Sequence, residues 1–217
     1  MQKRNYQKEM EKIIEQCRNR EQVPTLLLHS CCAPCSSAVL ERLSEEFQIT
    51  VLYYNPNIAP REEYEERVKE QERLIKEFPA KYPITFFAGE YDTALFYQAV
   101  KGMEQLPEGG ERCFVCYELR LRETAKLAKE QGFDFFTTTL SISPLKKAEK
   151  LNEIGGKLAE EYGIPYLFSD FKKKEGYKRS IALSAQYGLY RQDYCGCVYS
   201  LQQRREQSLL STINERQ

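Results

Sequence analysis

Short apolar runs alternate with stretches of helical spacing along most of this chain, and that alternation limits the folds open to it. The runs are rich in β-branched and aromatic residues and cover positions 25–29, 50–54, 85–88, 133–138 and 166–168. Between them, apolar residues recur every three or four positions, as in Tyr64, Val68, Ile75 and Phe78. Strands that alternate with helices form a parallel sheet covered on both faces. We therefore predict an α/β fold with a parallel sheet flanked by helices.

The length and charge of the chain indicate one domain without a strongly charged surface. A chain of 217 residues can bury one sizeable core, and no Pro/Gly/Ser-rich segment divides it. We expect a helical extension over residues 1–24 and a single α/β catalytic domain over residues 25–217, with further cysteines in its C-terminal part. Because 32 basic residues balance 32 acidic ones, any nucleic-acid surface must be local.

The N-terminal stretch and the apolar runs bear on localisation. Residues 1–20 mix Lys, Arg and Glu without an apolar segment typical of a signal peptide. No uncharged apolar run is long enough to cross a bilayer. The expectation is a cytoplasmic protein with no membrane partner.

Eight cysteines carry most of the functional information. Seven occur in three tight groups: Cys31, Cys32 and Cys35; Cys113 and Cys116; Cys195 and Cys197. Cys17 stands alone in a charged helical stretch, where a small buried hydrophobe is the simplest interpretation. A reducing compartment does not sustain structural disulfides, so the grouped thiols indicate metal or redox chemistry.

The first cysteine group directly follows the first predicted strand and precedes a helical pattern. It reads His29-Ser-Cys-Cys-Ala-Pro-Cys35. In an open parallel sheet, the turn at the carboxyl end of a strand opens into the crevice where ligands bind. A helix N-terminus also lowers the pKa of a thiol. We therefore expect thiolates at a ligand-binding edge of the sheet.

The cysteines alone leave three kinds of site open. A structural zinc ion could take Cys32, Cys35, Cys113 and Cys116 as two C-x-x-C pairs, although three thiols would then lack a role. The spacing of Cys32 and Cys35 also matches a thioredoxin-like redox pair. An iron–sulfur centre accounts for more of the thiols, because a four-iron cluster takes four thiolates and the others could hold a separate metal.

Two polar residues beside the cysteines are candidates for proton transfer. His29 is the only histidine, and a lone histidine beside an apolar strand is more often a hydrogen-bonded structural residue. Its position next to the thiols keeps a role as proton donor open. Asp193 precedes the third group and could serve as an acid or a ligand, although surface turns also favour Asp.

Four motifs together resemble the QueH family of epoxyqueuosine reductases. They are His29-Ser-Cys-Cys-Ala-Pro-Cys35, Tyr54-Asn-Pro-Asn-Ile58, Glu111-Arg-Cys-Phe-Val-Cys-Tyr117 and Asp193-Tyr-Cys-Gly-Cys197. The resemblance implies a fold similar to that of the adenine nucleotide α-hydrolases. It also implies a [4Fe-4S] cluster with an additional mononuclear iron beside it, and nothing in it suggests cobalamin.

Carried over residue by residue, the resemblance assigns roles to the cysteines. It makes metal ligands of Cys31, Cys32, Cys113, Cys116, Cys195 and Cys197. Cys35 is expected on the single iron, because the family also uses Asp at that position and hard oxygen donors suit a Lewis-acidic iron. The predicted catalytic residues are Cys35, His29 and Asp193.

The resemblance also implies a reaction and its partners. The reaction removes the epoxide oxygen from epoxyqueuosine at the wobble position of transfer RNA, using two electrons and two protons, and gives queuosine. In this hypothesis iron binds the epoxide oxygen as a Lewis acid, the cluster supplies electrons, and an external donor reduces the cluster. Two alternatives are a zinc-stabilised nucleic-acid-binding module and an iron–sulfur redox protein without an RNA substrate.

An anticodon base must leave its stack to reach a recessed metal, so aromatic platforms and basic contacts are expected around the site. Residues at the end of the second predicted strand are placed for the base: Tyr53, Tyr54, Asn55 and Asn57. Basic residues later in the chain are placed for the phosphates: Lys146, Lys147, Lys172, Lys173, Lys174 and Arg179. Each could equally be a solvated surface residue.

Overall fold

The computed structural model describes residues 4–18 and 21–214, the side chains of 210–214 excepted. Its strands are β1 (Thr25–His29), β2 (Gln48–Tyr53), β3 (Thr85–Ala88) and β4 (Phe135–Thr138). Its helices are α1 (Tyr6–Arg18), α2 (Ala33–Leu43), α3 (Arg61–Glu77), α4 (Thr93–Ala99), α5 (Glu111–Glu130), α6 (Ala148–Tyr162), α7 (Gly176–Gln186) and α8 (Val198–Asn214), with a short 3₁₀ turn at Thr139–Ile142.

All four strands of the described sheet run parallel, in the order β3-β2-β1-β4. His29, the last residue of β1, is in register with Leu52 of β2 and Thr138 of β4. The predicted parallel sheet flanked by helices is therefore confirmed. Since β1 is central, its carboxyl end meets loops from both sides, as expected for a ligand-binding edge.

The predicted fifth strand, residues 166–168, is wrong. The segment runs parallel to β4, but it forms only an isolated bridge between Tyr166 and Phe136. Beyond this bridge, backbone groups of the segment bond to side chains instead of to a strand. Thr137 Oγ1 donates to Leu167 O over 2.9 Å, and Ser169 N donates to Asn152 Oδ1 over 2.9 Å. Backbone groups satisfied in this way do not extend the sheet.

The strand at residues 85–88 forms where predicted, but it is not a buried strand. Three of its four residues are exposed, and Phe87 is 45% exposed. β3 is the edge strand and pairs with β2 alone. An apolar run of four residues does not by itself distinguish an edge from a centre.

Apolar residues pack on both faces of the sheet. On one face the core includes α1 and α2, with Met10, Ile14 and Leu40 inaccessible or nearly so, and α7 packs against α2. On the other face α5 packs against α6, and Leu121 and Leu158 join Phe136 of β4. Helix α1 therefore belongs to the same core as the sheet. No helix among the described residues is long and apolar enough to span a membrane.

Candidate metal centre

Three thiols converge in the turn at the carboxyl end of β1. Cys31 and Cys32 are buried and Cys35 is half-buried, and the three Sγ atoms lie within 4.8 Å of one another. The Sγ atoms of Cys31 and Cys32 are 3.8 Å apart. Three thiolates at this spacing can bind one metal ion and leave a coordination position for another ligand.

A polar network fixes the turn that carries these thiols. Ser30 N donates to Leu52 O over 2.9 Å, which ties the turn to β2. The hydroxyls of Ser30 and Ser36 donate to Gln71 Oε1 of α3 over 2.7 and 2.8 Å. Cys32 occupies the N-cap position of α2 without a side-chain capping hydrogen bond, and a proline in the first helical turn needs no N–H there. The predicted strand-to-helix turn is thus confirmed.

The other four grouped cysteines line a second, smaller cavity. Cys113 and Cys116 lie in the first turns of α5, which begins directly after Gly109 and Gly110. Cys195 and Cys197 come from the loop before α8. Residues from four parts of the chain complete the lining, among them Asn57, Phe96, Arg112, Arg120 and Ser200.

The backbone of the third group requires the glycine between its cysteines. Gly196 has a φ of +108°, and a Cβ there would lie 2.9 Å from Ile58 Cγ1 and 3.1 Å from Arg67 Nη1. The Gly196 carbonyl accepts a hydrogen bond from Ala59 N over 3.0 Å. Only glycine adopts this conformation without strain, so it sets the direction in which the two thiols leave the loop.

Cys195 connects the two thiol groups. It borders the four-cysteine cavity and also a larger pocket, of about 210 Å³, which Cys31, Cys32 and Cys35 line. Cys17 lies elsewhere: it belongs to α1 and is buried in the core, as the sequence predicted. The structure therefore gathers the seven grouped cysteines into two adjoining sites.

This grouping differs from the zinc arrangement considered above. Cys32 and Cys35 share a pocket with Cys31, whereas Cys113 and Cys116 share a cavity with the third group. The two C-x-x-C pairs of the described structure thus border different cavities. A four-thiol site in this protein would combine one C-x-x-C pair with the C-x-C pair.

The first group contains one favoured thiolate. Hydrogen bonds from the thiols of Cys32 and Cys35 hold the pKa of Cys31 well below its usual range, against the effect of burial. The same contacts, together with burial, raise the pKa of Cys32 to about 12 and that of Cys35 well above its usual value. The pKa lowering expected from the helix N-terminus is therefore wrong for Cys32 and Cys35, and the low pKa of Cys31 comes from its hydrogen bonds with these two thiols.

Burial governs the thiols of the second cavity. It raises the pKa of Cys116 to about 12, although the charge of Arg120 acts in the opposite direction. Burial likewise raises the pKa of Cys113 and of Cys197. These thiols must lose protons before they can bind a metal, so binding would release protons.

Two buried cations lie beside the thiol groups. Burial disfavours the ammonium of Lys146, but the charges of Cys195, Cys31 and Cys35 outweigh it and raise its pKa well above the usual value. Burial also disfavours the Arg67 guanidinium, whose pKa is nevertheless raised by Cys32 and other neighbours. Cations at these positions favour thiolates and an anionic metal centre.

His29 is fully buried, and it does not line the pocket that Cys31, Cys32 and Cys35 border. Its Nδ1 is 2.9 Å from Thr138 Oγ1, and its Nε2 lies 3.1 Å from Tyr54 O. Burial, assisted by the charge of Arg120, lowers the pKa of His29 to about 3. The imidazole is therefore neutral at physiological pH and ties β1 to the neighbouring strands.

The predicted base-binding residues lie inside the protein. Tyr53, Tyr54, Asn55 and Asn57 are all at most 6% exposed. Tyr53 Oη donates to Cys31 O over 3.3 Å, and Asn55 Nδ2 donates to Ser30 O over 2.8 Å. These two contacts support the thiol turn from beneath. Asn57 instead borders the four-cysteine cavity.

The predicted basic residues do not share one surface. Lys174 pairs with Glu11 of α1, and Arg179 pairs with Glu41 of α2 over 2.5 Å. Lys172 Nζ donates to Ser141 O over 2.8 Å and so holds a loop. Four of the predicted residues, Lys146, Lys147, Lys172 and Lys173, line a large groove beside the metal pocket.

Asp193 lies at the rim of the larger thiol pocket. Its side chain is 67% exposed and accepts a hydrogen bond from Arg204 Nε over 3.4 Å. Asp193, which the sequence predicted as an acid, therefore borders both the solvent and the pocket.

Several residues in the site escaped sequence reasoning. Phe114 lines the groove, and the ammonium groups of Lys147 and Lys150 lie 5.3 and 5.6 Å from its ring centroid. Arg112 and Arg120 are buried against the four-cysteine cavity. The sequence signal that could have identified these residues is the Glu111–Tyr117 motif, which contains Arg112 and Phe114 and lies just before Arg120. Only the cysteines of this motif were assigned a role from the sequence.

The donor set fits an iron–sulfur centre. Both sites offer mainly sulfur, which iron–sulfur clusters and zinc accept and which hard cations such as Mg²⁺ disfavour. Seven thiols exceed the four that one tetrahedral ion takes. Buried cations beside the thiols suit a centre with net negative charge.

Fold and site together define a metal-binding α/β protein with a cysteine-rich centre at the carboxyl edge of a parallel sheet. The model of the family described as epoxyqueuosine reductase QueH matches residues 26–203. The chain therefore belongs to the QueH family of epoxyqueuosine reductases, which are oxidoreductases.

Relatives with that name share much of the sequence. The epoxyqueuosine reductase QueH of Staphylococcus epidermidis is 43% identical over 203 residues, covering 92% of this chain and 85% of that protein. The Streptococcus pyogenes protein of the same name is 41% identical over 201 residues, covering 92% and 79%. Among solved structures, the U34-tRNA thiolase NcsA from Methanococcus maripaludis with its [4Fe-4S] cluster has a TM-score of 0.49 at 13% identity, over 89% of this chain and 67% of that one.

Proposed function

We propose that this protein reduces epoxyqueuosine to queuosine at the wobble position of transfer RNA, with a [4Fe-4S] cluster and an adjacent iron. The observation that carries the proposal is the adjoining pair of thiol sites at the carboxyl end of β1, one with three thiols and one with four. Membership of the family supports the substrate.

The two sites divide the ligands in a way that suits two metals. The four-cysteine cavity matches the four thiolates of a cubane cluster, so Cys113, Cys116, Cys195 and Cys197 would hold it. Cys31, Cys32 and Cys35 would hold the single iron, because three close donors leave a position open for substrate. Such a centre supplies electrons one at a time and a Lewis acid for oxygen.

The reaction consumes two electrons and two protons. Both carbon–oxygen bonds of the epoxide break, a carbon–carbon double bond forms, and the oxygen leaves as water. The electrons come from an external donor. Protons are available from groups at the pocket: Lys146 holds one at Nζ, and Asp193 can pass one in from solvent. Cys35 belongs to the first thiol group and also lines this pocket.

The groove beside the pocket suits the anticodon loop. Lys146 lines both the groove and the larger thiol pocket, so the two are continuous. Lys147 and Lys173 are exposed in the groove and form no ion pair among the described residues, which leaves their charges for phosphates. Phe114, flanked by Lys147 and Lys150, offers a ring on which an unstacked base can lie.

The test is anaerobic reconstitution followed by an assay on transfer RNA. Protein with iron and sulfide bound should be brown, because thiolate-to-iron charge transfer absorbs visible light. With a chemical reductant it should convert epoxyqueuosine in transfer RNA to queuosine, measured by mass spectrometry of the nucleosides. A colourless protein with stoichiometric zinc would support the zinc-stabilised module instead. A brown protein that leaves the nucleoside unchanged would contradict the substrate.

A further inference from the structure

Two arginines of α5 are buried without an acidic partner. Arg112 and Arg120 are each 1% exposed. Among the described residues neither guanidinium lies within 4.0 Å of a carboxylate. Arg67, the third fully buried arginine, differs, since its guanidinium pairs with Glu63 over 2.7 Å. A buried cation without a counter-charge is strongly unfavourable, so an anion is expected near Arg112 and Arg120.

The hydrogen bonds of these arginines are incomplete. Arg112 Nη1 donates to backbone carbonyls, including Glu104 O at 2.7 Å. Arg120 Nε donates to Cys116 O over 3.1 Å, and its Nη1 lies 3.4 Å from Asn55 Oδ1. In both side chains Nη2 is inaccessible and lacks a partner among the described residues. Buried donors are rarely left unpaired.

A third side chain with unpaired polar atoms, the amide of Asn57, lies in the same place. Asn57 is 2% exposed, and neither its Nδ2 nor its Oδ1 has a partner in the described structure. Asn57, Arg112 and Arg120 all line the cavity of the four cysteines. One small cavity therefore brings together two uncompensated cations, three residues with unpaired N–H groups and four sulfur ligands.

We infer that Arg112, Arg120 and Asn57 donate hydrogen bonds to the sulfur atoms of the centre held by Cys113, Cys116, Cys195 and Cys197, and that the two arginines raise its reduction potential. The inference rests on the proposed function, which places an iron–sulfur centre there. Reduction adds negative charge, which nearby cations and N–H donors stabilise, and hydrogen bonds to sulfur are a recognised determinant of cluster potential. These are positioning residues and need not touch the substrate.

The experiment measures the midpoint reduction potential of the reconstituted protein in a redox titration followed by electron paramagnetic resonance. Arg120→Met should shift the potential to a more negative value. Arg120→Lys should shift the potential less, because lysine keeps the positive charge and loses only the planar set of N–H donors of the guanidinium. Asn57→Leu removes a neutral donor and should give a smaller negative shift. Arg122→Met is the matched control: Arg122 lies on the same helix, is 39% exposed and pairs with Glu118 over 2.8 Å, so its loss should leave the potential unchanged.

A second measurement separates this role from a structural one. Thermal unfolding of metal-free Arg120→Met should occur at or above the wild-type temperature, since an uncompensated buried charge has been removed. The iron-loaded variant should unfold below the loaded wild type. Equal destabilisation of both forms, failure of the metal-free variant to fold, or a wild-type potential in the loaded variant would each overturn the inference. If the wild type itself takes up no iron and sulfide, the proposed function fails first.

Discussion

The Sγ atoms of Cys31 and Cys32 lie 3.8 Å apart in the turn between β1 and α2, although side chains of consecutive residues usually diverge. The extended backbone of Cys32, with φ −173° and ψ 157°, and the N-terminus of α2 bring Cys35 to the same point. This turn therefore supplies three donors without help from a distant part of the chain. Its consequences are open to measurement.

Replacing Cys35 should separate the two metals. Cys35→Ala should keep most iron and the visible absorption but lose epoxide reduction, because it removes a ligand of the single iron. Cys35→Asp should retain absorption and part of the activity, since a carboxylate can ligate iron in its place. Iron content, absorption and nucleoside conversion are the measurements. Cys17→Ala, a buried cysteine outside both sites, is the control and should keep iron and activity. Complete bleaching of Cys35→Ala would make Cys35 a cluster ligand.

Metal binding at the first group should strengthen as the pH rises. The pKa of Cys31 is lowered, so this thiol ionises most readily of the three, whereas Cys32 and Cys35 have raised pKa values and hold their protons more tightly. Binding one ion to all three should thus release about two protons, so affinity should rise about 100-fold per pH unit between pH 6 and 8. Competition of Zn²⁺ with a chelator of known pH dependence measures this in Cys113→Ser/Cys116→Ser protein. A slope near zero would show that the thiols are already ionised.

Removing the two unpaired lysines of the groove should weaken binding of transfer RNA. Lys147→Ala/Lys173→Ala should lower affinity and reduce the slope of log K against log salt by about two, one for each phosphate contact. Lys157→Ala/Lys178→Ala is the control, since it removes the same charge at exposed positions that do not line the groove. Binding titrations at several salt concentrations decide the matter. Equal effects of the two pairs would assign the change to net charge alone.

Phe114 should contribute through its ring. Phe114→Leu should weaken binding of transfer RNA by about 1–3 kcal/mol, the usual contribution of one base stacked on an aromatic side chain. Phe114→Tyr should bind nearly as well as the wild type. Phe87→Leu, on the exposed edge strand and outside the groove, controls for loss of an accessible phenylalanine. The idea fails if Phe114→Leu and wild type bind alike while both retain full iron.

Gly196→Ala should disturb the third cysteine group. A side chain at φ +108° is strained, and its Cβ would meet Ile58 and Arg67. We expect a loss of about 1–3 kcal/mol in unfolding free energy and reduced iron content, because Cys195 and Cys197 would be displaced together. Gly188→Ala is a useful comparison, since Gly188 also has a positive φ but no atom within 4 Å of the added Cβ. Its effect should be confined to stability. Full iron in Gly196→Ala would show that the loop adapts.

Local features of the sequence were sufficient for the framework of the fold. Strand and helix signals depend on periodicity within a few turns of chain, and the thiol turn after β1 follows from a strand, a cap and a proline in succession. The number and spacing of the seven grouped cysteines indicated metal or redox chemistry, and the family resemblance supplied the prediction that they are metal ligands.

Features that depend on distant partners were not legible in the sequence. Lys174 and Arg179 are predicted phosphate contacts, yet they pair with Glu11 and Glu41 of helices far away in the chain. The polar residues after β2 looked accessible, but Tyr53 and Asn55 turn inward to support the thiol turn.

The sequence by itself determined the alternation of strands and helices and the presence of a thiol-rich centre, because both depend on short-range pattern and on composition. Only the tertiary structure decided that Cys195 and Cys197 share a cavity with Cys113 and Cys116, and that Arg112 and Arg120 face it without counter-charges. Such contacts arise when loops far apart in the chain pack against one core. Their energies depend on burial and on which charges meet, and neither quantity exists until the chain has folded.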